Sequence, residues 1–401
     1  MSCYVFLTPE LGNMGGAQMY TNNKVSYLKK NGWDVQVFYY KKGGEIKLSE
    51  LMPFEDNYIK DFRSAFYYVP KWYMKKIAKR IQEKTKGAEE IIIESHLVEL
   101  AYWGEELARL LGARHICNFL EEQIEPLSDG KADYFEFKLK HWELMNSGAG
   151  SQRRLFKDYY KSEFAQYENV VKFVCSNVVS NEPLAVPIIK SDYSILTIGR
   201  LDKPYVGPMT ERIRDFASRH ADKTINVIYV GGSPDGSLEK GIPLLYEQLN
   251  NVHVYMLGYT FPVPSALLDK VDVGIASANS ILVTADYNIP TICIDINDYF
   301  ALGVYGYTTK NKFSRQDEPK GDISVLLEEV LIDRKYPKKD GIQRYDEMDV
   351  ELGKQLAYLD RSTNNKGCYY DVYSMYKKNT IYTSNMKWYL RRIMECIKFA
   401  K

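Results

Sequence analysis

The chain has 401 residues, of which 53 are lysine or arginine and 52 are aspartate or glutamate, so its formal net charge is only +1. This length exceeds one ordinary hydrophobic core and predicts two domains, and the balanced charge excludes a global field that would attract nucleic acid. The six cysteines form no CxxC pair and the five histidines show no ligand spacing, which argues against a metal site or a disulfide scaffold.

The start of the sequence gives no sign of a membrane segment. MSCYVFLTPELG lacks a basic start followed by a long apolar stretch, and nowhere do about 18 apolar residues run without interruption. We therefore expect a cytoplasmic protein that can rest on the inner face of the cell membrane.

The first part of the chain alternates between strands and helices. YVFLT (4–8) predicts a short buried strand, and a loop with Gly15 and Gly16 follows it. Apolar positions within 19–28 predict a helix, and DVQVFYY (34–40) predicts the next strand. This order predicts a right-handed βαβ unit of a parallel sheet.

The same alternation returns twice further along the chain. EIIIE (90–94) predicts a strand, 97–111 a helix and RHICNFL (114–120) another strand, whereas 121–185 is less regular. A second series follows, with strands predicted at 193–198, 225–232, 252–258, 271–277 and 291–296 and helices at 209–220, 242–249 and 280–287.

These two series predict the fold class. We expect an α/β protein with two Rossmann-like, doubly wound parallel-sheet domains that face each other across a cleft. In such sheets, ligands bind at the carboxyl ends of the strands.

Several segments of the second series together resemble a known family. ILTIGRLDKP (195–204), NVIYVGGSPDG (226–236), the stretch 252–280 and NIPTICID (288–295) follow in that order. They resemble the C-terminal half of nucleotide-sugar glycosyltransferases of the GT-B fold, closest to retaining family 4. The glycine loop at 12–16 matches the point where that family's first strand meets its first helix.

The resemblance implies a domain arrangement. An N-terminal acceptor domain would cover 1–187, and a C-terminal donor domain for the nucleotide sugar would cover 188–375. A last helix, 376–401, would cross back to the N-terminal domain.

The donor's phosphates call for positive charge. A nucleotide-diphosphate leaving group gains negative charge as its glycosidic bond breaks, so a site without a metal needs fixed cations and N–H donors. Arg200 and Lys203 are predicted to hold the diphosphate, with an ordinary surface pair as the alternative. Ser277, Asn279 and Ser280, at a helix start that faces the donor in the family, are further donor-binding candidates, and they also suit a plain helix cap.

Two further groups of residues complete the predicted donor site. Gly258, Tyr259 and Thr260 follow a strand where the family's nucleobase lies against backbone and a ring, and a surface tyrosine is the alternative. Gly15 and Gly16 are predicted to let the sugar and phosphate end of the donor approach the backbone. A simple tight turn would explain the same glycine pair.

The sequence also departs from the family's pattern. Many members carry two glutamates eight positions apart, but the corresponding positions here are Ile275 and Val283. The family's lysine falls on Tyr205, which leaves Lys203 as a shifted substitute. The chain is therefore either a divergent member or one that has lost catalysis.

Three residues of the N-terminal half are catalytic candidates. His96 lies just past a predicted strand, where a reacting sugar or acceptor could bind, and a packing or capping role is its alternative. Glu121 or Glu122, after the strand 114–120, could orient an acceptor hydroxyl or could be solvated acids.

Two basic, aromatic stretches bear on location. KWYMKKIAKRIQEKTK (71–86) places Tyr73, Ile77 and Ile81 at helical spacing, and MKWYLRRIMECIKFAK (386–401) is similar. Such helices can lie on anionic lipid, where lipid-linked acceptors would be found. The alternative is that the three apolar residues face the core.

Together these features predict an enzyme. We expect a metal-independent, retaining, hexosyltransferase-type glycosyltransferase that uses no cofactor beyond its nucleotide-diphosphate sugar. Its acceptor would be a glycan or lipid-linked glycan of a bacterial surface polysaccharide such as capsule, O-antigen or exopolysaccharide, and no nucleic acid would bind. A non-catalytic partner of another transferase and a nucleotide-sugar epimerase are the alternatives.

Overall fold

The structure is a computed structural model of the chain. It describes residues 2–12, 15–120, 127–169, 179–180, 183–184, 186–260, 262–315, 318–338, 348–362 and 367–399.

The chain forms two compact units. The first comprises Met1–Asn13, Ala17–Val174 and Asp349–Lys401, and the second comprises Met14–Gly16 and Cys175–Met348. The sequence extends the second domain to residue 375, whereas in the structure the segment from Asp349 onward groups with the first unit. Side-chain contacts explain this grouping, because Tyr20 donates a hydrogen bond to Gln355 and Arg114 donates one to the carbonyl oxygen of Leu359.

The first unit contains one sheet of four parallel strands in the order β2-β1-β3-β4. Its strands and helices are β1 (Ser2–Thr8), α1 (Gly16–Lys30), β2 (Asp34–Tyr39), α2 (Lys71–Lys84), β3 (Glu90–Ser95), α3 (Val98–Leu111), β4 (Arg114–Cys117), α4 (Asp129–Lys140) and α5 (Ala149–Phe156). The strand order reverses direction between β1 and β3, which is the topological switch point of this sheet.

The second unit contains a sheet of six strands in the order β12-β11-β10-β6-β7-β8, and only the edge strand β12 is antiparallel. Its elements are β5 (Val179–Ser180), β6 (Tyr193–Ile198), α6 (Val206–Arg219), β7 (Ile225–Val230), α7 (Ser237–Leu244), β8 (Val252–Met256), β9 (Val263–Pro264), α8 (Ser265–Leu268), β10 (Val273–Ala276), α9 (Ile281–Ala285), β11 (Thr291–Ile294), β12 (Ala301–Val304) and α10 (Ile323–Leu327). The short strands β5 and β9 pair separately. Here the switch point lies between β6 and β10.

Two helices follow the second unit in sequence, α11 (Met348–Ser362) and α12 (Lys378–Phe399).

The central strands are buried on both faces, as parallel sheets require. In β7, Val227 and Tyr229 enter one hydrophobic cluster, while Ile228 and Val230 enter another. All six residues of this strand are buried. The expected α/β architecture with two doubly wound parallel sheets is confirmed.

The first unit also buries a cluster of ionisable groups under α4. Lys138 Nζ lies 2.7 Å from a carboxylate oxygen of Glu105 and 2.5 Å from one of Glu143. His115 Nδ1 lies 2.9 Å from Glu105. Although burial alone would raise it, the charge of Lys138 and the contact with His115 hold the pKa of Glu105 at about 2. Burial, together with the nearby Glu105 charge, raises the pKa of Glu143 to about 7.

A pH-dependent stability follows from Glu143. Because the pKa of this carboxyl is raised from 4.5 to about 7 on folding, the folded chain holds a proton that the unfolded chain loses between those values. The stabilisation is complete below pH 4.5 and is lost as pH rises through about 7. We expect Glu143→Gln to remove this loss. Between pH 4.5 and about 7, the free energy of unfolding of the variant should therefore rise relative to that of the wild type by on the order of 2 to 3 kcal/mol.

The measurement is urea unfolding of both proteins at several pH values. Taking the difference between them cancels the titration of the other groups. Glu136→Gln is the control, because Glu136 pairs with Lys140 and Lys161 and its pKa is lowered rather than raised. A difference between wild type and Glu143→Gln that does not change with pH would contradict the assignment.

Candidate functional site

The carboxyl ends of the second sheet bring most of the predicted donor-binding residues to one edge. Arg200 and Lys203 follow β6, the Gly258–Thr260 segment follows β8, and Ser277, Asn279 and Ser280 follow β10. Because β6 and β10 are neighbours that lead to opposite halves of the sheet, the residues after them flank the switch point. In open α/β sheets that is where ligands bind.

Backbone hydrogen bonds join the segments that follow β6, β7 and β8 at this edge. The N–H of Leu201 donates to the carbonyl of Gly232 at 3.1 Å, and the N–H of Gly231 donates to the carbonyl of Gly258 at 2.7 Å. Gly231 has φ of 142°, and a Cβ there would overlap the carbonyl oxygen of Gly199. Only glycine allows this approach, so backbone groups rather than a side chain form the surface where the ends of β6 and β7 meet.

Tyr259 lies over this backbone surface. Its hydroxyl donates to the carbonyl of Gly232 at 3.1 Å, and a Cβ on Gly232 would come within 2.5 Å of its ring. Burial and then the charge of Asp202 raise the pKa of Tyr259, and the charge of Arg200 opposes them. The ring, the carboxylate and the guanidinium therefore share one neighbourhood. Thr260 Oγ1 closes the turn by donating to the carbonyl of Leu257 at 2.7 Å.

Arg200 is held loosely at the end of β6. Its Nε lies 3.2 Å from the Asp202 carboxylate, and 45% of its side chain is exposed. An exposed pair of this kind contributes little stability, so the guanidinium can turn to an anionic ligand at small cost. Lys203 is partly buried one turn later.

The residues after β10 combine strain with an unsatisfied hydroxyl. Ser277 is 4% exposed, and its buried Oγ has no hydrogen-bond partner among the residues that the structure describes. The next residue, Ala278, has φ of 57°, a left-handed conformation that costs a residue with a Cβ about 1 kcal/mol or more. Strain and an unpaired buried polar group at one strand end are features that cluster at ligand sites.

The structure adds a cation that the sequence did not indicate. Lys312 lies in the segment after β12, and its Nζ donates to Asn279 Oδ1 at 3.1 Å. The carbonyl of Lys312 accepts from the N–H of Ala278 at 2.8 Å. Both contacts fix the lysine beside the strained turn. No motif marks it, because its partner Asn279 lies 33 residues earlier in the chain.

This edge of the second sheet therefore suits an anionic ligand. Arg200 and Lys203 follow β6, and Lys312 lies beside the segment that follows the adjacent β10. The ends of neighbouring strands are separated by about 5 Å, a span that one diphosphate can bridge. Cationic N–H donors and a free hydroxyl are the groups that bind phosphate oxygens. Within the described part of the chain, no group of three or more His, Cys, Asp or Glu side chains could hold a metal ion.

The departures from the family pattern are core positions in the structure. Ile275 and Val283 are each 1% exposed and pack in the hydrophobic clusters of the second unit. Tyr205 is also buried, with its hydroxyl directed toward Gly199. These three side chains stabilise the sheet that presents the site, and they offer no carboxylate or ammonium to a sugar.

The glycine loop begins at the carboxyl end of β1 and leads to α1. Gly15 directly precedes α1, and Gly16 is its first residue. The close contact here involves Gly12, where a Cβ would overlap the carbonyl oxygen of Gly44. This contact is a close approach of two backbone segments, and both readings of Gly15 and Gly16, donor binding and a tight turn, stay predictions.

His96 occupies a fully buried polar cluster at the switch point of the first sheet. Its Nε2 lies 3.1 Å from Glu94, and it has no exposed surface. Lys24 Nζ forms an ion pair with Glu94 at 2.6 Å. Burial by itself would raise it, but the Lys24 charge and the His96 contact hold the pKa of Glu94 well below its usual range.

Other side chains complete the hydrogen bonding of this cluster. The Tyr4 hydroxyl and the Asn118 amide donate to Glu94, and the single hydrogen of the Tyr20 hydroxyl lies within reach of both Glu94 at 3.0 Å and Gln355 at 2.8 Å. The geometry favours the packing role for His96 that the sequence left open. Glu121 and Glu122 lie outside the described residues, so their predicted roles stay predictions.

Comparison with known proteins identifies the fold. No family model matches the sequence, and no curated protein matches it either. Among solved structures, a glycosyltransferase from Rickettsia africae is similar with a TM-score of 0.54 and 15% identity, over 96% of this chain and 97% of that one. The lipopolysaccharide outer core galactosyltransferase WaaB, in its apo form, gives a TM-score of 0.50 and 13% identity over 96% and 99%.

A protein assigned as a UDP-N-acetylglucosamine 2-epimerase from Listeria monocytogenes is similar to the same degree. Its TM-score is 0.50 at 10% identity, over 90% of this chain and 97% of that one. Identities this low establish the fold alone. The chain has the GT-B fold, which glycosyltransferases and these epimerases share.

The buried ion pair of the first unit generates a stability prediction. Replacing Lys24 by Met would leave the Glu94 carboxylate charged, buried and unpaired, so we expect a loss of roughly 3 to 5 kcal/mol in the free energy of unfolding. Lys29→Met is the matched control on the same helix, because its partner Glu50 and the lysine itself are partly exposed. The control should cost less than about 1 kcal/mol. Chemical denaturation of both variants tests this. Equal losses in the free energy of unfolding would show that the buried charge of Glu94 does not need Lys24 to neutralise it.

Proposed function

We propose that the chain is a glycosyltransferase that moves a sugar from a nucleotide-diphosphate sugar to a glycan acceptor. The observation that carries this proposal is the set of cations at the switch point of the second sheet. Arg200, Lys203 and Lys312 flank the ends of two adjacent strands, together with the hydroxyl of Ser277, which has no partner in the described part of the chain.

The same residues suit the charge that develops during transfer. As the bond between the sugar and the diphosphate breaks, negative charge grows on the leaving phosphate, and fixed cations stabilise that charge. Arg200 can present two parallel N–H donors to one phosphate, and Lys312 supplies a point charge. We propose that these side chains perform this task without a metal ion.

We assign the nucleobase to the backbone after β7 and β8. Tyr259 supplies a ring beside it, which its hydrogen bond to the carbonyl of Gly232 holds in place. A backbone surface of this kind can read the edge of a base without charged side chains.

The proposed mechanism retains the configuration of the sugar and needs no strong protein base. The leaving phosphate itself takes the proton of the acceptor hydroxyl, as the resemblance to family 4 implies. The complete burial of His96 is compatible with this route, because the route asks nothing of that side chain. We assign the acceptor, a glycan or lipid-linked glycan of a bacterial surface polysaccharide, to the first unit, and we propose a cytoplasmic site of action.

Two other functions compete with this one. A nucleotide-sugar epimerase would use the same diphosphate site, and the GT-B fold accommodates it equally well. A non-catalytic partner protein is favoured by the apolar Ile275 and Val283 at the positions of the paired glutamates. Turnover assays separate all three, because only a transferase consumes donor and acceptor, and only an epimerase isomerises the donor sugar without an acceptor.

The donor assignment predicts selective nucleotide binding. We expect one compound of a panel of UDP, GDP, CMP, dTDP and their sugars to raise the melting temperature by about 5 °C at a ligand concentration near 100 times Kd. Arg200→Ala should weaken that compound by roughly 2 kcal/mol, or about thirtyfold in Kd, through the lost charge-assisted contact. Thermal shift and calorimetric titration measure the two effects.

Arg212→Ala is the matched control for this experiment. Arg212 has the same 45% side-chain exposure as Arg200 and lies on α6 of the same unit, away from the switch point. It should leave Kd unchanged. If Arg200→Ala and the wild type bound the nucleotide with equal affinity, the assignment of the diphosphate to this edge would be wrong. If no compound of the panel raised the melting temperature, the non-catalytic alternative would be favoured.

The residue found only in the structure has its own test. Lys312→Met keeps the length of the side chain but removes its charge, so we expect Kd for the nucleotide diphosphate to rise about tenfold while Kd for the nucleoside changes little. Lys320→Met, an exposed lysine of the same segment, is the control. A loss of affinity that is equal for nucleoside and nucleotide would place Lys312 away from the phosphates.

A further inference from the structure

One face of α12 carries a continuous row of exposed apolar side chains. We call this row the outer stripe, and its members are exposed by 39% to 70%: Tyr382, Met386, Tyr389, Leu390, Ile393 and Met394. Their spacing of three and four residues places them on one side of the helix. Scattered exposed apolar residues need no explanation, but a contiguous row marks an interaction surface.

The opposite face of α12 fixes the helix on the first unit. Trp388 is 9% exposed and its ring lies 4.9 Å from that of Tyr73. Asn385 donates to the carbonyl of Tyr67 at 2.8 Å. Arg392 pairs with Asp61 at 2.8 Å. The outer stripe therefore points away from the core because the other face is already committed to it.

The helix α2 lies beside the outer stripe and presents basic residues. Trp72 Nε1 donates to the Tyr389 hydroxyl at 2.7 Å, and 54% of Trp72 is exposed. Lys75, Lys76 and Lys79 follow Trp72 at positions three, four and seven, so they share its face of the helix and are exposed.

The structure also settles the two alternatives for the apolar residues of α2. Ile77 and Ile81 are 5% and 0% exposed and lie in the core, and Tyr73 is partly buried against it. The apolar side of α2 thus serves packing. The exposed apolar surface is supplied by α12 instead, and α2 contributes its lysines.

Charge identifies the partner of this surface. Residues 71–84 and 378–394 contain ten lysines and arginines and one acid, in a chain whose formal net charge is +1. A second copy docked on the same face would bring like charges together, whereas anionic headgroups complement them. Tryptophan and tyrosine beside a row of aliphatic side chains suit the boundary between headgroups and acyl chains.

We propose that the first unit binds the surface of an anionic lipid bilayer through α2 and α12. The outer stripe enters the boundary of the acyl chains, while Lys75, Lys76 and Lys79 contact the headgroups. The attachment would be peripheral, since among the described residues no helix is long and apolar enough to cross a membrane. The proposal does not depend on the donor site, which uses none of these residues.

Vesicle co-sedimentation of the full chain tests the proposal. With phosphatidylcholine vesicles that contain roughly 30% phosphatidylglycerol, we expect at least about tenfold tighter binding than with phosphatidylcholine alone, and a loss of binding at about 1 M salt. The double variant Leu390→Ser, Ile393→Ser should bind at least about tenfold more weakly, because it removes apolar area from the stripe. The matched control is Leu244→Ser, Leu245→Ser, which changes two exposed leucines of the second unit.

A second variant keeps the test decisive if the first one misfolds. The triple change Lys75→Gln, Lys76→Gln, Lys79→Gln alters only exposed side chains, so it should keep the wild-type melting temperature while it weakens binding to the anionic vesicles. Equal binding to both vesicle types, or no binding to either, would overturn the proposal. So would a wild-type dimer in sedimentation velocity that the serine variant converts to a monomer, because the stripe would then be a protein interface.

Discussion

A buried charge has to be neutralised where it lies, and the first unit is built around one such charge. Glu94, in the middle of the sheet, has no exposed surface, and Lys24 reaches it from α1. Besides the ion pair, the carboxylate oxygens of Glu94 need hydrogen-bond donors, and Tyr4, Tyr20 and Asn118 supply them. These contacts fix how α1 lies on the sheet, so the position of this helix depends on electrostatics as well as on apolar packing.

The second unit positions its site by a different physical means. At Gly231 a Cβ would overlap the carbonyl oxygen of Gly199, so backbone groups line the edge at this point, and the absence of a side chain at Gly232 makes room for the ring of Tyr259. The charged side chains enter only from the flanks, Arg200 on one side and Lys312 on the other. The backbone part of this edge is rigid, because hydrogen-bonded backbone moves little. The cationic side chains at its flanks can adapt to a charged ligand, because they are long and move easily.

The sequence predicted most of the sheet architecture because central parallel strands are predominantly apolar, as β6, β7 and β10 are. It misplaced α7 by several residues: the helix begins at Ser237, where the Asp235 carboxylate caps its first turn, and not near Ile242. Contacts between residues that are far apart in the chain could not be predicted from the sequence. Lys24 and Glu94 are 70 residues apart, and Lys312 and Asn279 are 33 apart, so no local spacing connects them.

The return of the chain to the first unit has a consequence for its synthesis. The second unit is almost continuous in sequence, whereas the first unit recruits residues from Asp349 onward. A ribosome therefore exposes β1 to β4 long before Gln355 can accept the hydrogen bond of Tyr20 or Leu359 can accept that of Arg114. Until then, the half that is made first stays incomplete while the half that is made second can close its sheet. The unit that is synthesised first is therefore completed last. Until Gln355 has been made, the polar cluster around Glu94 lacks one of its partners and stays partly open to water or to a chaperone.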